Sequence, residues 1–265
     1  MISYKQSINI LNRSKIIIKD EIIKSNDCLN RVVAKNIFSK ANNPLADNAA
    51  FDGFAINSKD TKNLNKKNSK LFKIIGTIAA GNKPLKKKLK KFQTVEIMTG
   101  GIIPLGADTI IPIEQILFYP NKIKPKYILI NKKIKNDQHI RLKGSDFKKN
   151  DLIIKRGTIL QSSHILALKT LGIKKIKVKK IPNILFFSTG NEITNKENIP
   201  EWKVINSNSH YIQSLGKNFL FNFKNGGILK DKDKLIFEQK IKNIFNSEID
   251  IIITSGAVSA GKFDY

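Results

Sequence analysis

Two short clusters of small and hydroxyl-bearing residues in the last third of the chain could bind an anion. Each follows an apolar run: Ser188-Thr189-Gly190 comes after residues 184–187, and Thr254-Ser255-Gly256 comes after residues 251–253. In an open α/β sheet, ligands gather at the carboxyl ends of strands, where small residues let backbone N–H groups approach an anion. The alternative is an ordinary turn after each strand, with glycines that serve only the backbone geometry.

Three acidic residues lie just beyond strand ends in the same part of the chain. Glu192 and Asp264 follow the two clusters, and Asp231 follows a third apolar segment at residues 227–229. Three carboxylates beside a phosphate would repel it unless a cation neutralised them, and Mg²⁺ prefers oxygen ligands of this kind. The pattern favours a magnesium–phosphate site and unrelated surface acids about equally.

A further set of polar residues lies in predicted turns and loops between residues 47 and 146. Asp47 and Asp52 lie among apolar residues in a region without a helical period, and we favour a turn with its cap over a site. Thr99-Gly100-Gly101 predicts a loop at a strand end that offers a hydroxyl and backbone amides. Arg141 and Asp146 share a polar loop and could form an ion pair. The histidines lie in separate segments and lack the spacing of zinc ligands.

The elements that would position these residues follow from hydrophobic periodicity and helix caps. Helices are predicted over residues 3–11, 162–171, 211–219 and 235–245, the second ended by Gly172 and the third capped by Asn206-Ser207-Asn208. Strands are predicted at residues 72–76, 94–98, 109–113, 127–131, 184–187, 227–229 and 251–253, and residues 16–18 and 21–23 are strand-like. The last three strands alternate with two helices, which implies parallel pairing with right-handed crossovers.

Composition limits the class of protein. The chain has 265 residues with a net charge of +27, spread along its length apart from the run Lys86-Lys87-Lys88-Leu89-Lys90-Lys91. Because Lys, Ile and Asn are enriched together and few aromatics lie among the lysines, we favour compositional drift over nucleic-acid binding. The single cysteine, Cys28, excludes an intramolecular disulfide. With no secretory signal and no apolar run long enough for a membrane span, we expect a cytoplasmic protein.

Six motifs, in order, resemble those of the molybdopterin molybdenumtransferase family, the MoeA and gephyrin E-domain group. They are Asp47-Asn48-Ala49-Ala50-Phe51-Asp52-Gly53-Phe54-Ala55, Met98-Thr99-Gly100 with Pro104 and Gly106-Ala107-Asp108, Arg141-Leu142-Lys143-Gly144-Ser145-Asp146, Ser188-Thr189-Gly190-Asn191-Glu192, Ile205-Asn206-Ser207-Asn208, and residues 255–265. Six motifs in the family's order across the chain are far more specific than any one of them.

The resemblance implies an α/β multi-domain fold and a homodimer. Its parts would be an elongated linking domain (residues 1–45 and 140–180), a β-rich inserted domain (46–139) and a truncated parallel-sheet αβα molybdopterin-binding domain (181–265). The implied reaction is Mg²⁺-dependent insertion of molybdate into molybdopterin-adenylate with release of AMP. The cleft would be completed by the β-rich domain of the partner subunit, and the molybdopterin adenylyltransferase would be a further partner.

The resemblance also implies roles for residues that match the motifs. Glu192, Asp231 and Asp264 would be catalytic and hold Mg²⁺, and Asp52, Thr99 and Asp146 would be catalytic residues of the facing wall. Cofactor-binding residues would be Arg141, Ser188, Thr189, Gly190, Ser255 and Gly256. The chain departs from the family where Asn191 and Asn206 replace acids, which removes two negative charges.

Length is the largest departure from the family pattern. Family members continue for well over a hundred residues beyond the last motif, so we expect a truncated or split product with little molybdenum-insertion activity of its own. A non-catalytic molybdopterin-binding or scaffolding protein is the alternative function.

Overall fold

The computed structural model describes residues 2–14, 16–230, 233–244 and 247–256. Helices within these residues are α1 Tyr4–Arg13, α2 Ser162–Thr170, α3 Ser207–Phe219 and α4 Lys234–Ile244. The strands are β1 Asp20–Lys24, β2 Ile37–Phe38, β3 Asn48–Ala49, β4 Gly53–Ile56, β5 Lys70–Ile78, β6 Gln93–Ile97, β7 Thr109–Pro112, β8 Leu117–Tyr119, β9 Tyr127–Ile130, β10 Ile140–Arg141, β11 Leu152–Ile154, β12 Lys175–Lys179, β13 Asn183–Thr189, β14 Ile193–Thr194, β15 Val204–Ile205, β16 Asn222–Leu229 and β17 Ile251–Thr254. None of these helices is long and apolar enough to cross a membrane.

The chain forms two compact units. The discontinuous unit combines residues 1–36 with residues 154–265, and the inserted unit is the continuous segment 37–153. The three domains expected from the family resemblance have other boundaries than these two units and stay a prediction.

The inserted unit is built on a six-stranded sheet in the order β7-β4-β6-β5-β9-β8. All neighbours are antiparallel except β5 and β6, which run parallel. All four residues of β4 are buried, because successive side chains point to opposite faces and both faces are covered. Phe54 packs into one apolar cluster with Phe72, and Ala55 packs into the other with Val95. The region predicted as a turn, residues 47–52, contains the short strand β3 and is followed directly by β4, an inner strand of the sheet that the sequence did not reveal.

A parallel sheet in the discontinuous unit has β13 at its centre, with β16 on one side and β17 on the other. Both pairings are parallel, which confirms the prediction from alternating strands and helices. Phe186 and Phe187 of β13 are buried, and α3 packs against β13 and β16. Since parallel strands share a direction, the carboxyl ends of β13, β16 and β17 lie at one edge of this sheet.

Three of the differences from the predicted elements have clear physical reasons. Residues 16–18 form no regular element despite their apolar character, because no strand pairs with them among the described residues. The strand predicted at residues 227–229 begins earlier, at Asn222, since β13 supplies its hydrogen-bonding partner. Helix α3 begins at Ser207 after the predicted cap residue Asn206, whose side chain makes no capping hydrogen bond.

Candidate functional site

In the inserted unit, Asp52 and Thr99 form a tight polar contact. Asp52 Oδ1 accepts hydrogen bonds from Thr99 N at 2.6 Å and from Thr99 Oγ1 at 2.7 Å. The hydrogen bond from the Thr99 hydroxyl, followed by that from its backbone N–H, lowers the pKa of Asp52 below its ordinary 3.8. Asp52 is therefore ionised at neutral pH, and these hydrogen bonds make it a weaker base than an ordinary aspartate.

Strand β3 brings the Thr99 loop and the Arg141 loop together. Ala49 N donates to Gly101 O and Ala49 O accepts from Gly100 N, both at 2.8 Å. On its other side β3 pairs antiparallel with β10, where Arg141 lies opposite Asn48. Three motifs that are far apart in the sequence therefore share one short strand.

The Arg141 loop is held by charges and amides of its own. Arg141 forms an ion pair with Asp146, as predicted, and Asn43 Nδ2 donates to Asp146 Oδ2 at 2.9 Å. Asp47 also contributes, because its Oδ1 accepts from Lys143 N at 2.7 Å. Asp47 therefore fastens one motif to another, a role that its position in the sequence did not indicate.

In the discontinuous unit, the ends of β13 and β17 bring a small cluster of polar groups together around Thr189. Thr189 N donates to Ser255 Oγ at 3.2 Å. Thr189 is 8% exposed, and among the described residues its buried Oγ1 has no hydrogen-bond partner. A Cβ at Gly256 would lie 2.8 Å from that oxygen, so glycine is required for the two strand ends to approach this closely. The orphaned hydroxyl is a ready hydrogen-bonding group for a polar ligand.

The hydroxyl of Ser188, by contrast, is already used inside the protein. Ser188 is 0% exposed, and its Oγ donates to Oδ1 of Asn206 at 2.6 Å. Asn206 is 4% exposed, and its Nδ2 donates to Asn195 Oδ1 at 3.1 Å. Asn206 therefore supports the strand-end cluster. The sequence indicated a helix cap and the replacement of an acid at this position, but not this hydrogen bond to Ser188.

Glu192 lies on the turn that follows β13, where its carboxylate lies over Gly190. A Cβ at Gly190, whose φ is +138°, would be 2.5 Å from both carboxylate oxygens. The exposed carboxylate of Glu192 suits Mg²⁺, which prefers oxygen ligands. The other two predicted magnesium ligands, Asp231 and Asp264, lie outside the described residues. Among the residues that are described, no group of three or more His, Cys, Asp or Glu side chains comes together to hold a metal ion.

The same turn is contacted by two ammonium groups. Lys230 Nζ donates to the carbonyl oxygens of Gly190 at 3.2 Å, Asn191 at 3.2 Å and Ile193 at 2.6 Å. Lys203 Nζ donates to the Asn191 carbonyl at 2.7 Å. Neither lysine was singled out from the sequence, because the chain is rich in lysine throughout.

The predicted site residues thus fall into two described groups. Asp52, Thr99, Arg141 and Asp146 belong to the inserted unit, whereas Ser188, Thr189, Gly190, Glu192, Ser255 and Gly256 belong to the discontinuous unit. Their assigned roles in binding and catalysis stay predictions.

Comparison with protein-family models gives two matches. The model of the "MoeA N-terminal region (domain I and II)" matches residues 2–172, and that of a "Probable molybdopterin binding domain" matches residues 186–265. Together they include both groups of site residues.

Curated relatives and solved structures agree with these models. A molybdopterin molybdenumtransferase from Staphylococcus epidermidis is 31% identical over the whole of this chain, which spans 61% of that relative. A molybdopterin molybdenumtransferase from Staphylococcus aureus is 33% identical over 89% of this chain, and the matched part spans 55% of that relative. A crystal structure of the molybdopterin biosynthesis MoeA protein from Pyrococcus horikoshii superposes with a TM-score of 0.84 at 29% identity, covering 97% of this chain and 67% of that one. The predicted α/β fold class is confirmed by this match.

Proposed function

Because the chain belongs to the molybdopterin molybdenumtransferase (MoeA) family, we propose that it acts in molybdenum cofactor biosynthesis, inserting molybdate into molybdopterin-adenylate with release of AMP. The observation that carries the proposal is the buried, unpartnered hydroxyl of Thr189 among the described residues, next to Gly256 at the strand ends. A phosphate or pterin oxygen at this edge would accept its hydrogen bond, and the close approach of Gly256 leaves room for no side chain between them.

The strand-end residues would bind and orient the adenylate. In this proposal Thr189 supplies a hydroxyl, Ser255 and Gly256 supply the facing loop, and Ser188 holds the strand end through Asn206. Mg²⁺, with Glu192, Asp231 and Asp264 as its ligands, would neutralise charge on the phosphoanhydride.

The inserted-unit residues would form the facing wall, contributed by the partner subunit of a homodimer. Asp52 is ionised at neutral pH and would hold a water molecule by accepting a hydrogen bond from it, while Thr99 fixes the orientation of the carboxylate. The Arg141–Asp146 ion pair would place a guanidinium beside the anionic substrate. The molybdopterin adenylyltransferase, which makes the substrate, remains a proposed partner.

A non-catalytic, molybdopterin-binding role is the second candidate. It is favoured by the replacement of an acid by Asn206, whose amide is committed to Ser188 and Asn195. A neutral amide can support the pocket but cannot exchange a proton at neutral pH.

Calorimetric titration of the protein with molybdopterin-adenylate, with and without Mg²⁺, followed by an assay for AMP, separates these two functions. Mg²⁺-dependent binding with release of AMP supports the enzyme, whereas binding without AMP supports the carrier or scaffold. Absence of binding under both conditions refutes both.

Thr189→Val tests the observation on which the proposal rests. The variant has nearly the same shape but lacks the orphaned hydroxyl, so the unliganded protein should be as stable as the wild type or slightly more stable. Affinity for molybdopterin-adenylate should fall about tenfold, the effect of losing one hydrogen bond to a charged group. Thr170→Val, at the exposed end of α2, is the matched control and should change neither quantity. Unchanged affinity in Thr189→Val would remove this hydroxyl from the site.

Mixing of inactive variants tests the shared cleft. Asp52→Ala and Glu192→Ala remove proposed catalytic groups from different walls, so a mixed dimer would contain one intact site. We expect AMP release to recover partly on mixing, and sedimentation to show a dimer. Two inactive variants that stay inactive when exchange of subunits is demonstrated would contradict a cleft shared between subunits.

A further inference from the structure

The turn after β13, residues 190–193, has an unusual arrangement of main-chain carbonyls. The oxygens of Gly190, Asn191 and Ile193 all lie within 3.2 Å of Lys230 Nζ. An ammonium group has three N–H donors, and three carbonyl acceptors match that number. This turn therefore surrounds a positive charge of the protein itself.

The position of Lys230 in the sheet explains why it reaches the turn. Lys230 directly follows Leu229, the last residue of β16, which pairs with Thr189 at the end of β13. Gly190 N donates to Leu229 O at 3.0 Å, which joins the two strand ends. The backbone of Lys230 is itself fixed by a hydrogen bond, because Lys230 N donates to Asp233 Oδ2 at 2.8 Å.

The carbonyl oxygens of this turn carry partial negative charge close to the edge where an anionic ligand is expected. Hydrogen bonds from Lys230, and from Lys203 to Asn191 O, offset that partial charge. They also fix the backbone that carries Glu192 and that extends directly from Thr189. Fixed groups lose less conformational entropy when a ligand binds than mobile groups do.

We propose that Lys230 is a positioning residue of the ligand site, which holds the turn at residues 190–193 in its binding conformation through three carbonyl hydrogen bonds. It touches no substrate in this role and acts through the turn and Glu192. Its effect on ligand affinity rests on the proposed function, whereas its effect on the turn does not.

Hydrogen exchange followed by mass spectrometry or NMR tests the turn without a ligand. The amides of Gly190, Ile193 and Val204 donate to carbonyls in and around the turn. In Lys230→Met these amides should exchange about tenfold faster or more, because hydrogen bonds from a charged donor are lost, while amides inside β13 stay protected. Unchanged exchange at the three amides would overturn the proposal.

Two further variants separate positioning from simple charge. Lys230→Arg keeps the charge, but a planar guanidinium fork does not converge on three carbonyls of one turn, so exchange should remain faster than in the wild type. Lys240→Met is the matched control: Lys240 Nζ donates to Gly226 O at 3.2 Å within β16 and contacts the Phe187 ring, so its removal should leave the turn amides unchanged.

Calorimetric titration with molybdopterin-adenylate then links the turn to the ligand. Lys230→Met and Lys230→Arg should both bind at least about tenfold more weakly than the wild type, whereas Lys240→Met should bind normally. Full affinity in Lys230→Arg would show that charge alone matters and would refute positioning. If the wild type and Lys240→Met bind nothing, the proposed function fails, and hydrogen exchange still decides whether Lys230 holds the turn.

Discussion

The buried hydrogen bond between Ser188 and Asn206 gives a quantitative test of how much these residues stabilise the strand-end cluster. Asn206→Ala removes the acceptor of the Ser188 hydroxyl, at 2.6 Å, and the donor to Asn195, at 3.1 Å. Ser188 is 0% exposed, so its hydroxyl cannot turn to bulk water for a substitute partner.

The expected loss follows from the two hydrogen bonds. A buried hydroxyl left without a partner costs about 1–3 kcal/mol, and the second hydrogen bond contributes about 1 kcal/mol, so Asn206→Ala should destabilise this unit by about 2–4 kcal/mol. Ser188→Ala removes one hydrogen bond and should cost about 1–2 kcal/mol. The double variant should lose less than the sum, with a coupling of about 0.5–3 kcal/mol, because both substitutions remove the same contact.

Asn206→Asp restores the family's acid and tests the environment of this position. The carboxylate can accept from Ser188, but an oxygen replaces the donor that faces Asn195 Oδ1. Burial raises the pKa of a carboxyl group, so this variant should be destabilised at pH 7 and regain stability as the pH falls toward 4 and the group is protonated.

Native-state hydrogen exchange is the suitable assay, because the slowest amides of β13 report the free energy of opening its sheet. The reasoning is refuted if Asn206→Ala opens with a free energy within about 0.5 kcal/mol of the wild type, or if the two single substitutions add without coupling.

Three further predictions concern other parts of the chain. Phe54→Ala should destabilise the inserted unit by about 3–5 kcal/mol in urea unfolding, because Phe54 is fully buried between neighbouring strands; a loss below about 1 kcal/mol would contradict that packing. The Thr99 amide resonance should titrate with an inflection below pH 3.8, because the pKa of Asp52 is lowered in the folded protein. The stabilising contact is fully present above the ordinary pKa and is lost as the pH falls through the lowered pKa. An inflection above pH 3.8 would contradict this prediction. Burial raises the pKa of the Cys28 thiol, so a thiol-specific reagent should react with native protein far more slowly than with unfolded protein at pH 7, and equal rates would show that the thiol is accessible.

The strand order of the discontinuous unit could be predicted from the sequence because local pattern and chain connectivity agree there. Apolar runs at residues 184–187 and 251–253, separated by helices, leave parallel pairing as the simple arrangement. The early part of β16 could not be predicted, since Asn222, Gly226 and Gly227 are poor strand formers. A Cβ at Gly226 would overlap the Phe187 ring, so its strand conformation is explained by tertiary packing against β13.

The site was predictable in its residue types and less so in its contacts. Motif spacing indicated that Thr189 and Gly256 would lie near one strand edge, because parallel strands end together. The hydrogen bond of Ser188 to Asn206 and the carbonyl contacts of Lys230 depend on side-chain orientation, and residue order does not specify that. Composition concealed Lys230 further, since 48 lysine and arginine residues give no reason to select one.

The insertion of one unit into the other has a consequence for the order of folding during synthesis. Residues 37–153 are continuous and leave the ribosome before β12, the partner of β1 in the discontinuous unit, so this unit can begin to fold first. Ser39 N donates to Asp151 O at 2.9 Å, so folding of the inserted unit brings its two ends together. Pairing of β1 with β12 then closes an effective loop that is about fourfold shorter, which lowers the entropic cost of closure by about 1 kcal/mol. Folding of the inserted unit thus lowers the entropic cost of pairing β1 with β12, the two segments that flank it in the chain.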